Sequence, residues 1–212
     1  MKSQHLLNLV FILVIFILGC NMSVNRSIHV KDGETINHSL NSVNGSVIIG
    51  SDCVVRGNCR SVNGKIEVGN NSEVEDLQTV NGRISVGMNV EVDGDIESVN
   101  GPVTCDQGVK VTGKVASING SIDLDRTYVR RNIVTYNGHI TLSNKSIAQQ
   151  NIIIKDSRSK SDSFRPLKIR IEDESMVEGD IIVRNDDKTV NVYLVNGGKV
   201  NGRIRGAEVF QR

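Results

Sequence analysis

Side chains that could do chemistry are few and widely spaced in this 212-residue sequence. After the first twenty residues, histidine occurs only as His29, His38 and His139. A histidine base needs a nucleophile or a carboxylate within hydrogen-bond reach, and a structural zinc site needs four protein ligands. The spacing predicts no such cluster. We therefore expect no enzyme activity, no metal site and no cofactor, and we interpret the three histidines as surface residues.

Acidic residues are the next candidates, since carboxylates bind calcium. Asp93 and Asp95 form one pair, Asp123 and Asp125 form another, and residues 172–174 read "EDE". None has the nonapeptide "GGxGxDxUx" spacing with which some β-helices bind calcium. We interpret these residues as solvated outward faces.

Cys20 is the one side chain that the sequence marks for covalent modification. Leu6 to Leu18 form a run that is apolar except for Asn8, too short for a permanent membrane span and typical of a secretory signal. The run is followed by "ILGC", which resembles the bacterial lipobox. The resemblance implies cleavage after Gly19 and acylation of Cys20, which would anchor the protein to a bilayer. The alternative is a short uncleaved anchor with an incidental cysteine.

Cleavage would divide the chain into three parts: a signal peptide of residues 1–19, a lipidated cysteine with a short tether at 20–23, and a folded domain at 24–212. Removal of Lys2 leaves 24 basic and 24 acidic side chains, from 25 and 24 in the whole sequence. No net field remains to attract nucleic acid. We expect a lipid-anchored protein of the bacterial cell envelope, at the outer membrane or periplasmic side rather than in the cytoplasm.

One four-residue phrase recurs along the chain and sets the spacing of the apolar residues between its copies. "SVNG" or a close variant begins at Ser42, Ser61, Thr79, Ser98, Ser117 and Thr135, every 18 or 19 residues. If the Ser or Thr is position 1, apolar residues recur at positions 6 and 8, at 12 and 14, and at 18 with position 2 of the next unit. Pairs two apart indicate strands, so each unit predicts three short strands whose paired residues face a core.

The apolar spacing continues before the first phrase and after the last one. It recurs at Ile28 and Val30, at Ile169 and Ile171, and at Val192 and Leu194. A three-strand unit cannot close a core alone and must stack on copies of itself. The sequence therefore predicts an all-β, single-stranded parallel β-helix of about nine coils, running from about Val24 to Val209. At roughly 4.8 Å per coil, the rod would be about 40 Å long.

The corners of the coils carry the polar part of the phrase. The stacked asparagines would be Asn44, Asn63, Asn81, Asn100, Asn119 and Asn137. Two interpretations fit: an amide ladder that hydrogen-bonds from coil to coil, or Asn-Gly chosen only because it adopts left-handed turn conformations. A glycine at position 16, as in Gly94 and Gly113, marks a second bend.

Three cysteines follow Cys20. Cys53, Cys59 and Cys105 occupy positions 12, 18 and 8, so we expect small buried hydrophobes. A disulfide between Cys53 and Cys59 within one coil stays open, because neighbouring sides of a coil can hold the two Cα atoms too far apart.

One polar stretch interrupts the repeat. Residues 155–166, "KDSRSKSDSFRP", carry positive charge at Lys155, Arg158, Lys160 and Arg165. Insertions in a solenoid emerge as loops, and loops often hold binding sites. A binding loop and a tolerated surface insertion both fit, since a long loop costs little closure entropy.

A family resemblance rests on the alternation V-x-G-x-[IV] in "VDGDI", "VTGKV", "VEGDI" and "VNGRI". The chain resembles the bactofilins, and is similar to bacterial lipoproteins with "ETVNG" type repeats. The resemblance implies a right-handed parallel β-helix that assembles end to end without nucleotide and acts as a scaffold near membrane and cell wall. Bactofilins work in the cytoplasm, whereas the signal here implies export.

These observations favour a membrane-anchored, nonenzymatic scaffold that self-associates end to end. Phe210 is the one bulky residue expected to shield the C-terminal end of the core. The competing hypothesis is an adhesin-like module that binds an envelope protein or the cell wall through residues 155–166 or a solenoid face. A hexapeptide-repeat acyltransferase is the third, disfavoured by export to a compartment without its acyl-CoA substrate.

Overall fold

A computed structural model describes residues 22–156, 166–184 and 188–211, which form a parallel β-solenoid. Each coil contributes one strand to each of three sheets, and neighbouring strands in every sheet come from successive coils. The described residues contain no helix. The predicted fold class is confirmed: an all-β solenoid of about nine coils with three strands per coil.

The strands are short in all three sheets. The first sheet contains Met22–Ser23, Leu40–Ser42, Cys59–Ser61, Leu77–Thr79, Ile96–Ser98, Val115–Ser117, Ile133–Thr135, Ile152–Ile154, Ile181–Val183 and Ile204–Arg205. The second sheet contains Ile28–Val30, Val47–Ile49, Ile66–Val68, Ile84–Val86, Val103–Cys105, Ile122–Asp125, Ile140–Ser143, Leu167–Glu172, Val190–Val195 and Glu208–Gln211. The third sheet contains Thr35–Ile36, Val54–Val55, Glu73–Val74, Glu91–Val92, Lys110–Val111, Tyr128–Val129, Ile147–Ala148, Met176–Val177 and Lys199–Val200.

Alternation of side chains explains why these residues form strands around one core. In the strand Ile84–Val86, Ile84 and Val86 are buried and the side chain between them faces outward. The strands of the third sheet have two residues, of which the second, such as Val92, is buried in every strand between the first and the last. β-branched side chains suit this pleated, half-buried surface.

Register is kept from coil to coil. Ile84 aligns with Ile66 of the preceding coil and with Val103 of the following one. Like residues therefore stack in columns along the solenoid. The core cluster runs from Val30 to Val192, so a chain that begins at Asn21 contains all the buried residues on which the solenoid depends.

The three corners of a coil differ. The first corner joins the first sheet to the second and contains the "VNG" phrase. The second corner joins the second sheet to the third, and the third corner returns the chain to the first sheet.

Two insertions lengthen the last coils, and both replace the first corner. The predicted insertion lies between Ile152–Ile154 and Leu167–Glu172, and it separates aligned residues Ile140 and Ile169 by 29 positions. A second insertion, which sequence analysis missed, lies between Ile181–Val183 and Val190–Val195. Its signal was present in the sequence, since the apolar spacing rises from 18 or 19 residues to 23 between Ile169 and Val192.

Candidate functional site

The asparagines of the first corner form a continuous side-chain ladder. Each Nδ2 donates to the Oδ1 of the asparagine one coil earlier, at 2.7 Å to 2.8 Å. The members are Asn25, Asn44, Asn63, Asn81, Asn100, Asn119 and Asn137. All six predicted residues belong to it, and Asn25 extends it by one coil. The stacking gives each exposed amide a partner without closing the corner to water.

Lys188 terminates the ladder. Its Nζ donates to Asn137 Oδ1 and to the carbonyl oxygen of Tyr136 at 2.5 Å. Lys188 lies in the second insertion, so a residue of the segment that replaces a "VNG" corner ends the asparagine column. Burial lowers the pKa of Lys188, whereas Asp156 opposes that shift.

Backbone conformation at the first corner differs from the expected one. Asn25 is the only ladder residue with a positive φ. The glycine of the phrase is required for close approach instead: a Cβ on Gly101 would lie 2.0 Å from the carbonyl oxygen of Gly82, and one on Gly64 would lie 2.1 Å from that of Gly45. The prediction of a left-handed Asn-Gly turn is therefore wrong, and stacked backbones at the corner explain the glycine.

Left-handed residues occur at the second corner. Asp52, Asn71 and Asn89 have φ values of 57°, 55° and 56° in successive coils. Asn and Asp tolerate this conformation better than branched residues do. Asn71 Nδ2 also donates to Asp52 Oδ1 at 3.2 Å, and Asn89 Nδ2 donates to Asn71 Oδ1 at 3.3 Å.

The Ser or Thr of the phrase has a role that sequence analysis missed. Ser61 Oγ donates to the Gly45 carbonyl at 2.9 Å, and Thr79 Oγ1 donates to the Gly64 carbonyl at 3.0 Å. Both hydroxyl residues are buried. They occupy the inward position two residues after Cys59 and Leu77, and the hydrogen bond satisfies the polar group inside the solenoid.

The residue after that Ser or Thr was expected to face the core, and this prediction is wrong. Val62, Val80 and Val99 are only half-buried and lie at the outer side of the first corner. They lie three residues after the inward residues Cys59, Leu77 and Ile96, so strand alternation turns them outward. The outward apolar row at this corner is therefore a surface feature.

Carboxylates and amides of the third corner cap the backbone of the next coil. Asp76 Oδ1 accepts from the Asp95 N–H at 2.8 Å, and Asp95 Oδ1 accepts from the Lys114 N–H at 2.9 Å. Asn132 and Asn151 act in the same way further along. These side chains thus have a structural function that the pattern of acidic pairs did not reveal.

Histidines and acidic residues do not meet in the described part of the chain. His29 lies outward on the first strand of the second sheet, and His38 Nδ1 lies 3.1 Å from the carbonyl oxygen of Ser39. His139 Nδ1 accepts from the Lys168 N–H at 3.0 Å, which links coils across the first insertion. Within the described residues, no group of three or more His, Cys, Asp or Glu side chains is placed to hold a metal ion.

Cys53, Cys59 and Cys105 are buried free thiols. The predicted inward positions are confirmed, and no disulfide joins Cys53 to Cys59. Burial raises the pKa of Cys59 to about 12, with a smaller contribution from Glu75. Burial also raises the pKa of Cys105 to about 12, with a smaller contribution from Asp106. Both thiols are therefore protonated and unreactive near neutral pH.

At the C-terminal end, the position of the Phe210 side chain differs from the predicted one. Phe210 aligns with Tyr193 and stacks on its ring with 5.1 Å between centroids, on the outer face of the second sheet. Val209 instead aligns with the buried Val192 and is 45% exposed. The prediction that Phe210 shields the core is wrong, because strand alternation turns its side chain outward.

Several predicted site residues lie outside the described residues. These are Cys20 and, in the inserted loop, Arg158, Lys160 and Arg165. Lys155 is described, and its Nζ lies 5.7 Å from the centroid of the Tyr136 ring. Within the described part of the chain, no helix has the length and apolar character needed to cross a bilayer.

No protein-family model, curated protein or solved structure matches this chain.

Proposed function

We propose that the protein is a nonenzymatic, lipid-anchored scaffold of the bacterial cell envelope that associates with itself through the C-terminal end of the solenoid. The observation that carries this proposal is the last strand of the second sheet, Glu208–Gln211. Among the described residues its one partner strand is Val190–Val195, and its own four residues are exposed. An open strand edge is a template for pairing with another chain.

The terminal cross-section supports the same interpretation. Val200, Ile204 and Ala207 pack against the core but are only partly buried, and Val209 is more exposed still. A second copy would bury these side chains and pair the open backbone groups. Association of apolar surface is favourable by roughly 25 cal/mol for each Å² removed from water.

Tail-to-tail pairing of two copies is favoured over a continuous polymer because the proposed lipid is attached near the other end. The first described strand, Met22–Ser23, begins two residues after Cys20. Acyl chains in a bilayer would hold the first coil close to the membrane surface. The C-terminal coil would then point away from it and remain accessible.

Sedimentation of a form that begins at Asn21 tests the association. We expect a dimer whose population rises with protein concentration. Val209→Lys places a charge in the open cross-section and should leave a monomer, because an edge lysine opposes strand pairing. Val24→Lys is the matched control at the N-terminal end and should dimerise normally, since Val24 is 55% exposed there. A strictly monomeric protein at high concentration would reject the scaffold.

The lipid anchor has a separate test. Cys20→Ala in the full chain should move the protein from the membrane fraction to the periplasmic fraction or leave it unprocessed. Metabolic labelling with a fatty-acid analogue should mark the natural chain and not this variant. An unlabelled natural chain would remove the anchor from the proposal without affecting the C-terminal contact.

A further inference from the structure

The outer face of the first sheet changes character along the solenoid. In the early coils its side chains form a polar row, in which Arg60 Nε donates to Gln78 Oε1 at 2.8 Å and Gln78 Nε2 donates to Glu97 Oε2 at 3.1 Å. The outward residues of the next four strands are all apolar: Ala116, Val134, Ile153 and Ile182.

This apolar row is sheltered although it lies outside the core. Val134 is 8% exposed and Ile153 is 9% exposed. Val99, Ile118 and Tyr136 of the first corner rise beside the row. Together with Ala116 and Val134 they line a groove of about 290 Å³, which we call the first-sheet groove. A sheltered apolar surface outside the core is typical of a binding site.

The polar side chains that line the groove are already engaged with one another: Arg60 bonds to Gln78, Gln78 to Glu97, and Glu97 to Lys114. The backbone groups of its floor are already used along the solenoid, as in the bond from the Val99 N–H to the Thr79 carbonyl and from the Ile118 N–H to the Ser98 carbonyl, both 3.1 Å. A peptide lying there would leave its own N–H and C=O groups without partners, which is costly. An acyl chain has no such groups, so this floor favours it.

A cation lies at the end of the apolar floor. Lys155 Nζ lies over the Tyr136 ring at 5.7 Å from its centroid, and among the described residues no carboxylate lies within ion-pair distance of it. Lys114, which also lines the groove, is already paired with Glu97 at 2.8 Å and Asp95 at 3.3 Å. The aromatic ring holds the Lys155 ammonium near the groove without neutralising it.

We propose that the first-sheet groove binds a single-chain anionic amphiphile, with the acyl chain on Ala116, Val134 and Ile118 and the anionic head at Lys155 Nζ. From Val99 through Ile118 to Tyr136 the wall of the groove extends two coil steps, about 10 Å, which suits a medium-length chain. A carboxylate and a phosphate head share this chemistry, and they would come from a free fatty acid and a lysophospholipid respectively.

Binding of laurate to a form beginning at Asn21 tests the groove by calorimetry, below the concentration at which laurate forms micelles. We expect one saturable site per chain. Ala116→Trp fills the floor and should remove the binding. Ile48→Trp is the matched control, since Ile48 faces outward on the second sheet and lies away from the groove. Thermal melting should show that both variants fold.

The role of Lys155 is tested by changing the head group. The natural chain should bind laurate about tenfold more tightly than the alcohol dodecanol, since a hydrogen bond to a charged group is worth roughly that factor. Lys155→Gln should bind the two compounds equally. Comparison of laurate with lauroyl lysophosphatidate then distinguishes the fatty-acid source from the phospholipid source, and tighter binding of either one supports the groove.

Three results would overturn the proposal. The first is no saturable binding of laurate or lauroyl lysophosphatidate. The second is binding that Ala116→Trp leaves unchanged. The third is an effect of Ala116→Trp on sedimentation but not on laurate binding, which would make the groove a contact between copies. Loss of self-association in Val209→Lys with laurate binding intact would separate this groove from the scaffold.

Discussion

The regular coils between Leu40 and Ile154 and the last coils from Leu167 onward use the same core but close their corners differently. In the regular coils, every first corner has the phrase with its asparagine, glycine and buried hydroxyl. In the last coils, insertions replace that corner, and the strands of the second sheet lengthen to six residues in Leu167–Glu172 and Val190–Val195. The comparison teaches that the phrase limits strand length and sets the spacing, whereas the apolar columns alone maintain the fold.

Burial also differs between the two regions. Ile122 in the regular coils is fully buried, whereas Ile204 in the last coil of the first sheet is only half-buried. We expect Ile122→Ala to cost about 4 kcal/mol of unfolding free energy and Ile204→Ala about 1 kcal/mol, because the cost follows the apolar contacts that are lost. Chemical denaturation of the two variants measures this. Equal costs would mean that the last coil is covered in solution, as dimerisation would cause.

Glycines of the two regions should respond differently to an added methyl group. Gly101→Ala should cost about 3 kcal/mol, since its Cβ would lie 2.0 Å from a carbonyl oxygen of the stacked backbone. Gly197 lies at a second corner with φ of 82°, and the nearest atom to its Cβ would be 3.4 Å away. Gly197→Ala should therefore cost only about 1 kcal/mol, because the added side chain is disfavoured in the left-handed conformation but meets no close atom. A reversed order in the melting midpoints would contradict the close-approach explanation.

The buried thiols Cys59 and Cys105 both lie in the regular coils, which makes that region sensitive to alkali. The folded state holds their pKa near 12, while an unfolded thiol has its ordinary value near 9.0. Above pH 9 the unfolded chain releases protons that the folded chain retains, so the free energy of unfolding should fall as pH rises from 9 towards 12. The slope is about 1.4 kcal/mol per pH unit for each thiol, and no effect arises below pH 9.

Denaturation at several pH values measures this slope. The double variant Cys59→Ala and Cys105→Ala should lose the thiol contribution and retain only the alkaline dependence of the other groups. Iodoacetamide should leave both thiols unmodified at pH 8 until the protein is unfolded. Rapid labelling of the folded protein would contradict their burial.

The smallest expected effect concerns the asparagine column. Asn81→Leu removes one amide that is bonded to both Asn63 and Asn100, and it should cost about 1 kcal/mol. Water can reach the exposed neighbours, which keeps the cost low. Asn201→Leu in the last coils removes a hydrogen bond to Glu178 and a weak one to the Met176 sulfur, and it should cost less. If neither change alters the melting temperature, the asparagines contribute only to the shape of the corner.

Apolar spacing made much of this fold predictable from sequence. Pairs such as Ile84 and Val86 can be satisfied only by strands around a shared core, and the 19-residue period then requires stacking. The inward Ser61 and outward Val62 were not predictable from hydropathy, because a buried hydroxyl is stable only when a carbonyl of another coil accepts its proton. That partner lies 16 residues away and becomes visible only in the structure.

The surface features were harder still to predict from the sequence. Outward residues such as Ala116, Val134 and Ile153 come from strands 18 or 19 residues apart, so no local pattern joins them. Their row becomes recognisable once the register is known. The sequence did contain one signal, the apolar middle residue in "VAS", "IVT", "III" and "IIV", where the earlier strands of this sheet, from Leu40–Ser42 to Ile96–Ser98, carry a charged or amide side chain.

The constant register between coils has a genetic consequence. Residues 84–102 begin at Ile84, and the residue that follows them, Val103, occupies the same column as Ile84. A duplication of such a segment would therefore reproduce every column, every corner and the asparagine ladder. Each duplication would lengthen the rod by about 4.8 Å and each deletion would shorten it by as much. The length of the solenoid is thus a quantity that inheritance can change in equal steps without redesigning the core.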